Sequence, residues 1–148
     1  MPTQQEMIGK IRLDYTWHPG EEIYSDGGEI EEHLLEIARN KTEEEFNSVI
    51  AEEKDWAVLY HMSHIRENIV HALPIRNDQT VLEIGSGCGA ITGSLAGRAR
   101  HVTCIDLSRR RSMINAYRHR DLDNVEILVG NFTQIEETLT EKIGRAHV

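Results

Sequence analysis

The sequence predicts an α/β fold: a parallel sheet preceded by a helical cap. Three observations predict it. Residues 81–148 alternate short β-branched runs with helix-length stretches, the pattern of strands joined by right-handed crossovers. One buried run, Val81-Leu82-Glu83-Ile84, leads directly into glycines at alternate positions, Gly85, Gly87 and Gly89. Upstream of that run, apolar residues recur at helical spacing.

Taken in order, the first 28 residues read as irregular, with Pro19-Gly20 and Gly27-Gly28 as turn signals. Ile30, Leu34, Leu35, Ile37 and Ala38 form one apolar helix face from about Glu29 to Asn40. Thr42-Glu43-Glu44-Glu45 has the form of a capping box and should start a second helix carrying Phe46, Val49 and Ile50. Asp55 can cap a third, with Ala57, Leu59, Tyr60, Ile65, Ile69 and Leu73 facing inward until Pro74 stops it. Strands follow at about Thr80–Ile84, His101–Asp106 and Val125–Val129, separated by helices at about Ala90–Ala99 and Ser108–Arg118.

Composition narrows the function. The chain has 148 residues and a net charge of −9, with 16 Lys+Arg against 25 Asp+Glu. Residues 1–80 hold 7 basic and 17 acidic residues (−10), and residues 81–148 hold 9 and 8 (+1). An acidic chain argues against nonspecific nucleic-acid binding, which needs a basic face. No apolar run approaches membrane-spanning length, and MPTQQEMIGK lacks a signal-peptide core. Cys88 and Cys104 form no disulfide framework or zinc spacing, which suits a reducing cytoplasm.

The informative run is Glu83-Ile84-Gly85-Ser86-Gly87-Cys88-Gly89-Ala90. A strand feeding a glycine loop and then a helix is a nucleotide-cofactor site, because glycine adopts positive φ and lets a ligand approach the backbone. Asp106 closes the next strand, where a carboxylate accepts from ribose hydroxyls. NAD and S-adenosyl-L-methionine sites share both features. Glu83 favours the second, since a carboxylate is unwelcome beside a pyrophosphate but favourable beside an ammonium and a sulfonium. A glycine at position 89 and about 80 residues ahead of the loop also depart from the dinucleotide pattern.

Glu83-x-Gly85-x-Gly87-x-Gly89 with Asp106 resembles motif I and the following acidic position of class I S-adenosylmethionine-dependent methyltransferases. The resemblance implies a Rossmann-like seven-stranded sheet, of which this chain holds the first three strands. It implies that Glu83, Gly85, Ser86, Gly87, Cys88 and Gly89 lie against the methionyl part of the cofactor. Asp106 would hold the ribose and Leu107 would pack on the adenine. Asn131, in place of the commoner Asp, would offer its amide carbonyl to the adenine amino group, with Phe132 as the apolar residue beside it. A narrower resemblance covers roughly Leu13 to Leu139. Tyr24-Ser25-Asp26-Gly27, Ser63-His64-Ile65-Arg66-Glu67-Asn68 and Ile127-Leu128-Val129-Gly130-Asn131-Phe132 are similar to bacterial methyltransferases associated with glycosyltransferases of surface-polysaccharide clusters. It implies a small-molecule or glycan acceptor and fusion to, or association with, a glycosyltransferase. Leu82-Glu83-Ile84-Gly85-Ser86-Gly87 equally fits ribosomal RNA adenine methyltransferases. That group carries an Asn/Asp-Pro-Pro-aromatic run at a fourth strand, and the sequence has no such run. An NAD-binding dehydrogenase module and a noncatalytic interaction module remain as alternatives.

Other residues carry weaker signals. Arg66 could lean over the loop and pair with the methionyl carboxylate, against the plainer reading of a solvated side chain. His61 and His64 have a spacing that can share a metal, but no third ligand is in register, so none is expected. Cys88 reads as a small spacer near a helix N-terminus. Arg109-Arg110-Arg111 reads as a solvated helix surface. The expected organisation is an N-terminal extension and helical cap over 1–76, the cofactor-binding half of a methyltransferase domain over 77–142, and a tail over 143–148 resembling translated adapter sequence. On that reading the first strand is left at a sheet edge, no catalytic residue can be named, and the isolated chain is inactive.

Overall fold

A computed structural model describes residues 4–21 and 28–139. Tyr24 to Gly27 and the 143–148 tail therefore lie outside the described residues. The strands are β1 Gln5–Ile8, β2 Ile11–Trp17, β3 Thr80–Ile84, β4 His101–Asp106 and β5 Val125–Gly130. The helices are α1 Gly28–Asn40, α2 Phe46–Glu53, α3 Trp56–Met62, α4 Asn68–His71, α5 Thr92–Ala96, α6 Arg109–Arg118 and α7 Phe132–Leu139. The sheet runs β1-β2-β5-β4-β3. β1 and β2 pair antiparallel and the other neighbours are parallel. The α/β class and all three expected strands stand, and β3 lies at the edge of the described sheet.

Alternation along the strands sorts side chains to two faces. Val102 and Cys104 of β4 join Ile127 and Val129 of β5, Leu13 of β2, Leu95 of α5 and Ala116 of α6 in one core. Ile105 and Leu128 point the other way, onto Ile135 and Leu139 of α7. A third cluster, with Leu34, Ala38, Phe46, Val58, Met62 and Ile114, fixes the cap against α6.

Several expectations need correction. The segment read as irregular holds the β1–β2 hairpin, and β2 adds a parallel strand beside β5. The third helix is broken. Ser63 adopts an extended conformation (ψ 143°), and its hydroxyl accepts from Ile65 N–H at 3.2 Å, starting a 3₁₀ turn over His64–Glu67 before α4. The break shifts the helical phase. Val58, His61, Met62 and Val70 are buried, while Leu59, Tyr60, Ile65, Ile69 and Leu73 are exposed. Asp55 does cap α3, accepting from Ala57 N–H at 2.8 Å and Val58 N–H at 3.2 Å. Thr42 does not cap. Its hydroxyl donates to Glu45 Oε1, and a 3₁₀ turn over Glu43–Glu45 precedes α2.

Arg109 is exposed, as expected, but the other arginines of α6 are not a solvated surface. Arg111 Nε donates to the fully buried Glu31 of α1 at 2.9 Å, and Arg110 pairs with Glu32 at 3.7 Å. Arg118 donates to Glu43 at 2.6 Å and to the carbonyls of His61 and Cys88 at 2.8 and 3.1 Å. The acidic cap and the arginine-rich helix are thus complementary surfaces of one interface.

Candidate cofactor site

The parallel strands β3, β4 and β5 end side by side, and the residues singled out in the sequence gather at their carboxyl ends. The loop after β3 holds Gly85, Gly87 and Gly89 at φ of 75°, 52° and 81°. A Cβ at Gly85 or Gly87 would meet nothing within 4 Å, so both positions face open space. At Gly89 it would collide with the Asn115 carboxamide, so that glycine serves packing instead.

Backbone bonds hold the loop to β4. Gly85 and Ser86 N–H donate to Ile105 O at 2.8 and 3.2 Å. Asp106 spans the two sides: Oδ2 accepts from Gly87 N–H at 2.8 Å and Oδ1 from Ser108 N–H at 2.9 Å. Each carboxylate oxygen retains a lone pair, so Asp106 can still receive hydroxyl donors. The Ser86 hydroxyl is buried in this loop with no hydrogen-bond partner. Such a group costs about 1–3 kcal/mol unless something satisfies it. An orphaned hydroxyl, an open glycine cradle and a carboxylate at the next strand tip fit a nucleoside-bearing cofactor.

Several side chains lie elsewhere than expected. Glu83 is 7% exposed and points beneath the sheet, accepting from the Thr92 hydroxyl at 2.7 Å and the Cys104 thiol at 3.5 Å. Burial raises its pKa above the usual carboxylate range, against the hydrogen bonds from Thr92 and Cys104. It therefore supports the loop from below and supplies no exposed negative charge to a cofactor cation. Cys88 is buried, and desolvation pushes its thiol up to about 12, the reverse of activation. Asn131 caps α7: its carbonyl accepts from Thr133 N–H at 3.0 Å and from the Thr133 hydroxyl at 2.8 Å. The expected acceptor for an adenine amino group is thus already engaged. Phe132 packs against the cluster of Ile105, Leu128, Ile135 and Leu139, whereas Leu107, 43% exposed, stands beside Asn131 at a cavity. Arg66 lies over the Tyr60 ring at 4.8 Å, and its charge reaches Glu83. His61 belongs to α3 and His64 to the turn after the break, so they do not share a helix face. Among the described residues, no group of three His, Cys, Asp or Glu could hold a metal. Nor is any described helix long and apolar enough to cross a membrane.

Sequence reasoning missed the residues beneath the loop. Asn115 Nδ2 donates to Thr92 Oγ1 at 3.2 Å, and its Oδ1 lies 2.7 Å from His119 Nδ1. Glu83, Thr92, Asn115 and His119 thus form a buried hydrogen-bonded chain under the glycine turn. Polar residues at inward positions of α6 were its one sequence signal.

Fold and site together define a Rossmann-like α/β protein of the class I methyltransferase kind. Residues 59–145 match the family model described as ribosomal RNA adenine dimethylase, and the chain belongs to that family. It is 40% identical over 78 residues to ribosomal RNA small subunit methyltransferase A of Koribacter versatilis, covering 51% of this chain and 27% of that protein. The protein of the same name from Malacoplasma penetrans is 29% identical over 82 residues, covering 54% and 30%. The chain thus spans under a third of the length of these relatives. Among solved structures it is similar to the 23S rRNA methyltransferase ErmE (32% identity, TM-score 0.41, covering 45% of this chain and 27% of that one). Another is an S-adenosyl-L-methionine-dependent methyltransferase of Methanococcus maripaludis (21% identity, TM-score 0.43, covering 74% and 46%).

These relatives overturn the expected partners. The matching proteins are named for ribosomal RNA, which conflicts with a small-molecule or glycan acceptor and with the argument against nucleic acid. The physical reason is that net charge averages over the whole chain. Three of the cap's acidic residues, Glu31, Glu32 and Glu43, face arginines of α6, and a net sum does not say where the other charges lie.

Proposed function

We propose that this chain is the cofactor-binding portion of an S-adenosylmethionine-dependent ribosomal RNA adenine methyltransferase. The observation that carries the reading is the open cradle at Gly85 and Gly87 around the unsatisfied Ser86 hydroxyl, inside the segment matched by the family model. When bound, S-adenosylmethionine supplies a methyl group made electrophilic by its sulfonium. The chain's residues hold and orient. Gly85 and Gly87 admit the ligand to the backbone, Ser86 supplies a hydroxyl, and Asp106 accepts ribose hydroxyls while fixing the loop through Gly87. Catalysis of this kind depends mainly on positioning. An adenine that takes two methyls takes them on its exocyclic amine, the nitrogen that stays neutral when dimethylated. The acceptor elements are proposed to lie in the part of the relatives that this chain does not span, so the 148 residues bind cofactor without turnover.

Calorimetric titration tests this. S-adenosylhomocysteine should bind and NAD should not, and Gly87→Val should abolish the heat. Binding of NAD alone, or no binding of either, refutes the cofactor assignment. Robust methylation of a glycan by the purified chain refutes the acceptor.

A further inference from the structure

The β1–β2 hairpin lies outside the segment matched by the family model, which begins at residue 59. It nevertheless reaches the row of strand tips that forms the cofactor site. Asp106 pairs with Val129 across β4 and β5, and Trp17 pairs with Gly130 across β2 and β5. With strands ~4.8 Å apart, the tip of β2 lies on the order of 10 Å from that of β4, roughly the reach from a ribose to the far edge of its base.

A cavity of about 470 Å³ opens at that distance, lined by Trp17, His18, Pro19, Leu107, Asn131 and Gln134. Leu107 follows directly on Asp106 and is the exposed apolar residue on the near side. Trp17, half-buried and packed on the core under α7, stands on the far side with His18. The lining suits a flat heteroaromatic ring: Trp17, Leu107 and Pro19 offer apolar surface, and the amides of Asn131 and Gln134 offer polar edges. Because the Asn131 carbonyl caps α7, its Nδ2 is the group left to donate, and a purine ring nitrogen accepts such a bond.

The far wall is fixed in place. Gly130 has φ 153°, and the Trp17 backbone occupies the space where its Cβ would stand, so hairpin and strand end are pressed together. Beyond Trp17 the chain turns back on itself. His18 N–H donates to Tyr15 O at 3.0 Å, and Gly20 N–H donates to His18 Nδ1 at 3.2 Å. The Tyr15 and His18 rings meet edge to face at 6.4 Å.

The methyltransferase resemblance already implies adenine beside Leu107 and Asn131; we propose that Trp17 and His18 of the hairpin tip form the outer wall of that site, across the cavity from Leu107. The proposal rests on the cofactor reading above. It assigns a binding role to a segment outside the family match.

The chain's two tryptophans make the test direct. In a Trp56→Phe background, which alters an exposed side chain, Trp17 is the sole indole. S-adenosylhomocysteine and 5′-methylthioadenosine should shift its emission saturably, with midpoints matching calorimetry, and methionine should not. Trp17→Ala and, separately, His18→Ala should each weaken S-adenosylhomocysteine roughly tenfold, the scale of one lost base–aromatic stack. Should Trp17→Ala fail to fold, His18→Ala and the emission titration decide alone. Calorimetric binding of S-adenosylhomocysteine with silent Trp17 emission and no loss in His18→Ala overturns the outer wall while leaving the cofactor reading intact. No heat with S-adenosylhomocysteine overturns the cofactor reading, and this proposal with it.

Discussion

His119 stands at the C-terminal end of α6, 5% exposed, where a charge on its ring would have little water around it. Burial holds its pKa down at about 4, from 6.5, and the Arg118 guanidinium adds to the effect. The Glu43 carboxylate, 3.6 Å from Nε2, pulls the other way, and His64, which also faces Glu43, adds a small depression. A base with a depressed folded-state pKa contributes stability that is complete above its unfolded pKa. That contribution is lost as pH falls from 6.5 towards 4, because the unfolded chain takes up the proton first. At ~1.4 kcal/mol per unit, the shift corresponds to roughly 3 kcal/mol, a large share of a typical folding free energy. For a chain of this size that is on the order of 6–12 °C in Tm. Urea unfolding between pH 7.5 and 4 measures it, with the m-value checked for constancy. The control is His119→Gln, which keeps an amide donor towards Asn115 but cannot ionise. The difference between protein and variant is needed because other groups titrate nearby. Burial lifts Glu126, but hydrogen bonds from Arg12 and His101 outweigh it and hold the carboxyl below its usual range, so its contribution is lost at lower pH. Glu83, with a raised pKa, gains stability as pH falls. A variant with the same slope as the parent between pH 6.5 and 4 would refute the assignment to His119.

Glu83→Gln should stabilise the protein at pH 7 by on the order of 1 kcal/mol, or ~2–4 °C in Tm, because a neutral amide sheds the cost of a buried charge. The advantage should shrink towards pH 4.5, and a Tm that falls at neutral pH contradicts it. Gly87→Ala and Gly89→Ala should separate function from packing. Both incur left-handed strain of about 1–2 kcal/mol, but Gly87→Ala fills the cradle and should abolish S-adenosylhomocysteine binding at modest cost in stability. Gly89→Ala drives a methyl into Asn115 and should cost more, roughly 2–4 kcal/mol by urea unfolding. Arg118→Met removes the two-pronged partner of the part-exposed Glu43 carboxylate and leaves two carbonyl contacts empty, so a loss of about 2–4 kcal/mol is expected. Arg118→Lys should recover little of it, since a point charge cannot reproduce that fork.

The legible part of this chain was its β-branched half. The runs at 80–84, 101–106 and 125–130 admit one reading, and the glycines between them place the loop. The hairpin was legible in principle, for Ile11, Leu13, Tyr15 and Trp17 alternate at strand period, with Gly9 at φ 57° in the turn ahead of them. The third helix failed for a subtler reason: 3.6-residue phase cannot be carried across Ser63, whose hydroxyl restarts the count.

Side-chain direction at the site follows from strand parity. Alternation puts Glu83 on the face of Val81, opposite to Leu82 and Ile84. Its partner in the ladder is Cys104, on the inner face of β4. Parity alone therefore sends Glu83 under the sheet, and a motif position cannot override it. The whole-chain charge of −9, which argues against nonspecific nucleic-acid binding, is a sum without positions. Glu31, Glu32 and Glu43 face Arg111, Arg110 and Arg118 across the cap interface. Each such pair sums to zero, so the chain's net charge of −9 is the same with or without them. What a net sum cannot give is where the remaining charges lie, and a nucleic-acid partner needs basic groups only on the face it meets.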